Sequence, residues 1–261
     1  MARTAGTKIR RILFWAHLSC GVAAGVLILV MSATGVLLTY EKQLVAWSTA
    51  AVPASDSATG MQLFMETIEG WHRHLGGERD SMRAGLLDLA NLLFVFILVS
   101  GLWLWLPPVW RWQVMKLRLL LRRNYQSSKQ RDFGWHHVLG IWMLVPLLLI
   151  AVSGVVFSYP WANQLVFAAY GEVPPARREP PPAMAVGAAS LQDRASPPAV
   201  AAAPTPGQQA RRWLRFIHTG EVYGIAGQTV AGLASLAACF LAYTGLALAW
   251  RRLMLPLVRP G

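Results

Sequence analysis

Acidic residues are scarce in this chain: 12 Asp and Glu stand against 24 Lys and Arg in 261 residues, a formal net charge of +12. Cysteine is scarcer, with two residues. Cys20 and Cys239 both fall inside apolar runs, which excludes a disulfide framework and makes each a small buried hydrophobe. No CxxCH occurs, so haem attachment through thioether bonds is excluded. No GxGxxG stands after a strand and no P-loop is present, which argues against nucleotide binding within the chain. Apolar residues, in contrast, are abundant: 55% of the chain is hydrophobic, with twelve tryptophans and a mean hydropathy of +0.40. An ordinary water-soluble domain does not have this composition.

Four apolar stretches are long enough to cross a hydrocarbon layer of ~30 Å at 1.5 Å per residue: Ile12 to Tyr40, Ala84 to Leu106, Val138 to Tyr159 and Ile225 to Trp250. They predict four transmembrane helices. The first follows Arg3, Lys8, Arg10 and Arg11, as a signal peptide would, but its apolar run far exceeds a signal core, so it is expected to stay as an anchor.

Fourteen of the Lys and Arg lie in the N-terminal tail, the 107–134 loop and the C-terminal tail, with Asp132 as the one acid among them. The other two loops carry ten Lys and Arg against ten acids. That alternation is a topology signal and not a nucleic-acid surface. The positive-inside rule places both termini and the 107–134 loop in the cytoplasm, and the 41–83 and 160–223 loops outside.

The chain reads as two copies of one unit. HLSCGVAAGVLILVMSATGVLLTY from His17 and HHVLGIWMLVPLLLIAVSGVVFSY from His136 carry glycine 4 and 18 residues after the histidine and tyrosine 23 after it. The second and fourth stretches align Ala90 with Ala234 and Gly101 with Gly245. The expected fold is therefore an all-α membrane protein, a four-transmembrane-helix bundle of two parallel two-helix repeats about an axis along the membrane normal. Its parts are a cytoplasmic tail (1–11), a first repeat (12–106), a basic cytoplasmic loop (107–134), a second repeat (135–250) and a cytoplasmic tail (251–261). Residues 171–210, dominated by Pro and Ala, are expected to form a flexible external linker. Met61 to Leu75 reads as an amphipathic helix against the outer surface.

All six histidines lie near membrane boundaries, His17, His136 and His137 inside, His72, His74 and His218 outside. A lone histidine there is commonly an interfacial polar residue, but the duplication puts His17 and His136 at equivalent depth, where two imidazoles hold haem iron between them. His72 and His218, each preceding an inward helix, form the outer pair. A continuous helix from His72 to Gly101 would outreach the membrane, so His72 must sit on a bent or interfacial segment. Successive helical residues point ~100° apart, which leaves His74 and His137 as alternates to His72 and His136. Without CxxCH the haem is b-type, and two are expected.

Each helix also carries a small pair, Thr34-Gly35, Ser100-Gly101, Ser153-Gly154 and Thr244-Gly245. Gly35, Gly101, Gly154 and Gly245 either clear a porphyrin edge or serve close helix packing. Asp88, with Asn91 one turn later, is an intramembrane acid with a role in proton handling or propionate contact, or simply interfacial. Most tryptophans, Trp103 and Trp105 among them, read as an aromatic belt.

At WHHVLGIW, VVFSYPWANQLV, NLLFVFILVSGLWLWLP and IHTGEVYGIAGQTVAGL the chain resembles the PepSY-associated transmembrane helix family, which includes ferrisiderophore reductases. The resemblance implies a bacterial inner-membrane haem b protein of iron uptake that passes electrons to a ferric siderophore or other ferric chelate on the periplasmic side. Its recurring histidines map onto His17, His72, His136 and His218, with His137 where asparagine is common. Many relatives carry a PepSY domain between the first two helices, where this chain has about forty residues. A quinol or a cytoplasmic reductase is the expected donor. The alternatives are a non-haem transporter or permease accessory in siderophore uptake, and a regulatory membrane subunit whose partner performs the chemistry.

Overall fold

The apolar runs, and the caps that bound them, account for the helices. The computed structural model describes residues 2–51, 57–107, 110–175 and 203–254. The middle of the Pro- and Ala-rich linker and the end of the C-terminal tail lie outside the described residues. Among the described residues all regular structure is helical: α1 (Ala2–Thr39), α2 (Glu41–Ala51), α3 (Ser57–His74), α4 (Met82–Trp105), α5 (Trp112–Leu119), α6 (Ser128–Trp142), α7 (Leu144–Ser158), α8 (Pro160–Ala168), α9 (Pro206–Thr219) and α10 (Gly224–Leu253), with a short 3-10 turn at Glu221–Tyr223.

The boundaries follow local chemistry. Ser81 caps α4 by accepting from Ala84 N–H, and Ser127 caps α6 by accepting from Gln130 N–H. Thr205 and Gln208 form a reciprocal capping box at the start of α9, with Pro206 in the first turn. α4 stops at Leu106, the residue before Pro107, whose ring disfavours a helical predecessor. Gly220 ends α9 at φ +78°, a left-handed conformation in which any Cβ would be strained. That stop separates His218 from α10 and lets the chain reverse into the membrane.

Three helices are long and apolar enough to cross a membrane, Thr7–Thr39, Met82–Trp105 and Glu221–Leu253, and α6 with α7 makes a fourth candidate that bends by 69° at its break. The chain is a multi-pass membrane protein. The sequence predicts one unbroken helix over Val138 to Tyr159, and Pro146 is why the structure differs: it has no N–H for the Trp142 carbonyl, and its ring crowds that turn. The ladder resumes at once, with Leu147 N–H on the Met143 carbonyl at 2.9 Å.

α1 packs along α4 and α10, and the α6–α7 pair is likewise flanked by α4 and α10. The core is built largely from small residues, Ala24, Ala90, Ala151, Ala234 and Ala238, with Ile28, Leu98, Leu147 and Leu241. Small residues let helix backbones approach closely where lipid offers no hydrophobic drive. Val26, Val99, Val152 and Leu236 remain exposed, as side chains facing lipid do. α3 packs on α1 and α2, and α9 on α7 and α8; these shorter helices bring His72 and His218 to the same end of the helical body.

Asp132, the single acid of the basic loop, is buried, and accepts from Arg251 at 2.6 Å and Arg131 at 3.2 Å. It joins the start of α6 to the end of α10. Asp132→Ala leaves Arg251 partly buried without its counter-charge and is expected to cost about 3 kcal/mol, the lower end for a broken buried pair because Arg251 keeps some solvent contact. Unfolding of the detergent-solubilised variant beside the native protein measures this.

Candidate functional site

One local arrangement occurs four times. His17 on α1 places Nδ1 3.0 Å from Ser100 Oγ on α4, and His136 on α6 places Nδ1 3.0 Å from Thr244 Oγ1 on α10. His72 on α3 reaches Thr34 Oγ1 on α1 at 2.9 Å, and His218 on α9 reaches Ser153 Oγ on α7 at 3.0 Å. Each hydroxyl belongs to one of the four small pairs.

The proton positions follow from what the hydroxyls already do. Thr34 Oγ1 donates to the Val30 and Met31 carbonyls of its own helix, Ser100 to Ile97, Ser153 to Leu149 and Ile150, and Thr244 to Phe240 and Leu241, all at 2.7–3.2 Å. A hydroxyl has one proton. With that proton spent on the helix, the oxygen can only accept from the imidazole, so Nδ1 carries the ring's hydrogen. The carbonyl three residues before each hydroxyl reinforces this: Ile150 O accepts from His218 Nδ1 at 3.0 Å, and the carbonyls of Ile97, Met31 and Leu241 hold the equivalent places beside His17, His72 and His136. Nε2 of every ring is therefore the bare lone pair, and none of the four has a protein partner among the described residues. A second nitrogen fixed by hydrogen bonding is how proteins orient a histidine that binds metal.

The glycines of the pairs set the ring positions. A Cβ added at Gly101 would lie 3.3 Å from Cε1 of His17, one at Gly245 3.3 Å from Cε1 of His136, and one at Gly35 3.5 Å from Cε1 of His72. At Gly101 and Gly245 glycine makes room for the imidazole, whereas at Gly35 the contact with His72 is an ordinary one and Ser235 Oγ lies nearer, at 3.4 Å. The fourth position breaks the pattern: at Gly154 the neighbour is Nδ2 of Asn91, at 2.8 Å. Asn91 is buried and donates to the Ala151 carbonyl at 3.2 Å, which makes it a tie between α4 and α7. Asp88, one turn earlier, is half-buried.

The four rings form two levels. The rings of His72 and His218 have centroids 6.4 Å apart with 67° between their planes, and Phe157 packs its ring edge-on to His218. Burial, and next the charge of His218, hold His72 at about 4 instead of 6.5, and burial lowers His218 too; both are neutral at physiological pH, the form that binds metal. His17 and His136 form the other level, with His136 within electrostatic reach of His17. On α1 the two levels lie 18 residues apart, from His17 to Gly35, which is about 27 Å and close to the thickness of the hydrocarbon layer.

The alternates stand elsewhere. His137 packs against the Phe133 ring at 4.2 Å between centroids, and His74 is half-buried at the last turn of α3. Among the tryptophans expected in a belt, Trp103 and Trp250 are exposed, whereas Trp105 is buried.

Among the described residues no three His, Cys, Asp or Glu side chains gather as a metal cluster. The donor set is two neutral imidazoles per level, and two imidazoles about 2 Å from one ion, on opposite sides of it, have centroids roughly 6 Å apart. The 6.4 Å between the His72 and His218 rings is close to that separation, so these two residues would suit a group such as haem that takes two imidazoles from the protein.

The comparison with protein families decides the kinship. A model described as the PepSY-associated TM region matches residues 49–252. The chain belongs to that family. The matched region contains His72, His136 and His218 with the hydroxyls of Ser100, Ser153 and Thr244, while His17 and Thr34 on α1 precede it. No curated protein matches the chain. Within this PepSY-associated chain the four hydroxyls are what the sequence reading missed. In the sequence Thr34, Ser100, Ser153 and Thr244 stand out for their small size beside the glycine, and the signal for their role is the oxygen common to all four.

Proposed function

We propose that the chain is a di-haem b electron-transfer protein of the bacterial inner membrane, built as a four-helix bundle of two parallel repeats, with both termini in the cytoplasm. It passes electrons across the bilayer to a ferric siderophore or other ferric chelate on the periplasmic side. The observation that carries this reading is the fourfold imidazole–hydroxyl pairing, which leaves a bare Nε2 at two levels near opposite membrane faces. His17 and His136 would hold the inner haem, His72 and His218 the outer one. Haem supplies one-electron chemistry when bound.

The residues themselves bind, orient and exclude. Ser100 and Thr244 lock the inner imidazoles in the tautomer whose Nε2 is a ligand, and Thr34 and Ser153 do so at the outer level. A haem held by two histidines of the chain would be suited to electron transfer more than to binding of oxygen. The apolar helices pack around the half-buried rings. A quinol or a cytoplasmic reductase is the donor consistent with a chain that has no nucleotide fold of its own.

The pyridine haemochrome assay on purified protein tests this. About two haems b per chain are expected. A colourless protein would instead favour the non-haem transporter or permease accessory. A haem-loaded protein that reduces no ferric chelate with any donor would make it a regulatory subunit of another enzyme.

A further inference from the structure

Two cations meet at the last turn of α4 with no acid beside them. Arg10 on α1 donates from both terminal guanidinium nitrogens, to the Leu104 carbonyl and, at 3.1 Å, to the Leu106 carbonyl. Arg118 on α5 donates to the Trp105 carbonyl between them. Burial and then the neighbouring Arg10 charge lower Arg118 from its usual value, so the two guanidinium groups are close enough to repel. Neither has a carboxylate partner among the described residues: Asp132, the one acid of the loop, is taken by Arg131 and Arg251. His137 also lies within electrostatic reach of both arginines.

Capping the C-terminal carbonyls of a helix explains why arginine is favoured here. It does not explain Trp105. This indole is 8% exposed, and its Nε1–H is buried with no acceptor among the described residues. Buried N–H donors are almost always paired, and an indole N–H can only donate. An unfilled donor on the turn where two guanidinium groups converge calls for an acceptor that carries negative charge.

We propose that the end of α4 is an anion-binding site, in which Arg10, Arg118 and the Trp105 N–H hold a carboxylate or phosphate. Two sources present that chemistry at this depth. One is a propionate of the porphyrin at the His17 level, since Gly101, against His17, lies one turn before Trp105; this source rests on the haem reading above. The other is the headgroup of an anionic phospholipid.

Trp105→Phe removes the N–H and keeps an aromatic side chain, and Arg118→Gln removes a charge while Arg10 still caps α4. The full-length apo-protein and both variants are titrated with protohaem and with its dimethyl ester, which lacks the carboxylates. In parallel, each protein is placed in nanodiscs of phosphatidylglycerol or phosphatidylcholine, and retained lipid is counted by native mass spectrometry. With a propionate in the site, the native protein prefers the free acid over the ester about tenfold, as loss of a charge-assisted hydrogen bond predicts, and both variants lose that preference. With a headgroup in the site, the ester preference is the same in all three proteins, and both variants lose the retained phosphatidylglycerol. If the variants match the native protein with both probes, the proposal is overturned. A chain that takes up no porphyrin at all sinks the haem reading, and the lipid count then decides the anion site alone.

Discussion

His136→Ala is expected to lower the haem content from about two per chain to about one, and His17→Ala is expected to do the same. Each inner iron would lose one of two axial ligands, while His72 and His218, about 27 Å away along α1, keep their Thr34 and Ser153 partners. The spectrum of the remaining haem should match that of the outer site in the native protein, and the double variant should lose no more than either single one. That non-additivity identifies two ligands to one iron, since residues acting as a unit are lost together. His137→Ala, one residue away, is the control. Its ring lies on Phe133 and does not reach a hydroxyl, so its haem content should remain near the native value.

The second large effect is expected where no ligand is touched. Thr244→Val keeps the shape of the side chain and removes the oxygen that accepts from His136 Nδ1. The imidazole loses the partner that fixes its tautomer and orientation, and inner-haem affinity should fall about 10- to 100-fold, the usual cost of removing such a support. Thr244→Ser restores an oxygen at the same place and should recover most of the loss. Retention of haem through gel filtration, followed by titration of the apo-protein, measures both variants. Ser100→Ala should reproduce the effect from the His17 side. A role of these hydroxyls in helix packing alone would leave Thr244→Val near the native affinity, because valine keeps the volume of threonine, and would make the smaller Thr244→Ser the weaker of the two.

The apolar runs and the duplicated histidines were legible in the sequence because periodicity and repetition are carried by the residues themselves. The start of α9 was not legible in this way: 171–210 is expected as a flexible linker, yet the Thr205–Gln208 capping box begins a helix inside that stretch. The bend between α6 and α7 was written in Pro146, but an apolar count over Val138 to Tyr159 does not register a missing N–H. The hydroxyl partners could not be read at all without knowing which helices face each other: Ser100 meets His17 across 83 positions and Thr244 meets His136 across 108. The choice between His136 and His137 had the same cause. Their rings point about 100° apart, and only the place of α10 decides which one finds an oxygen. Tryptophan at a helix end commonly anchors in the membrane interface, so the burial of Trp105 is not readable from its position.

Electron paramagnetic resonance of the oxidised, purified protein tests the central claim most directly, since it reports the axial ligands of each iron. Two low-spin ferric signals are expected, one lost on replacing His17 or His136 and the other on replacing His72 or His218. A protein without ferric haem signals, or with high-spin iron that has an open axial position, would contradict the pairing of imidazoles at both levels.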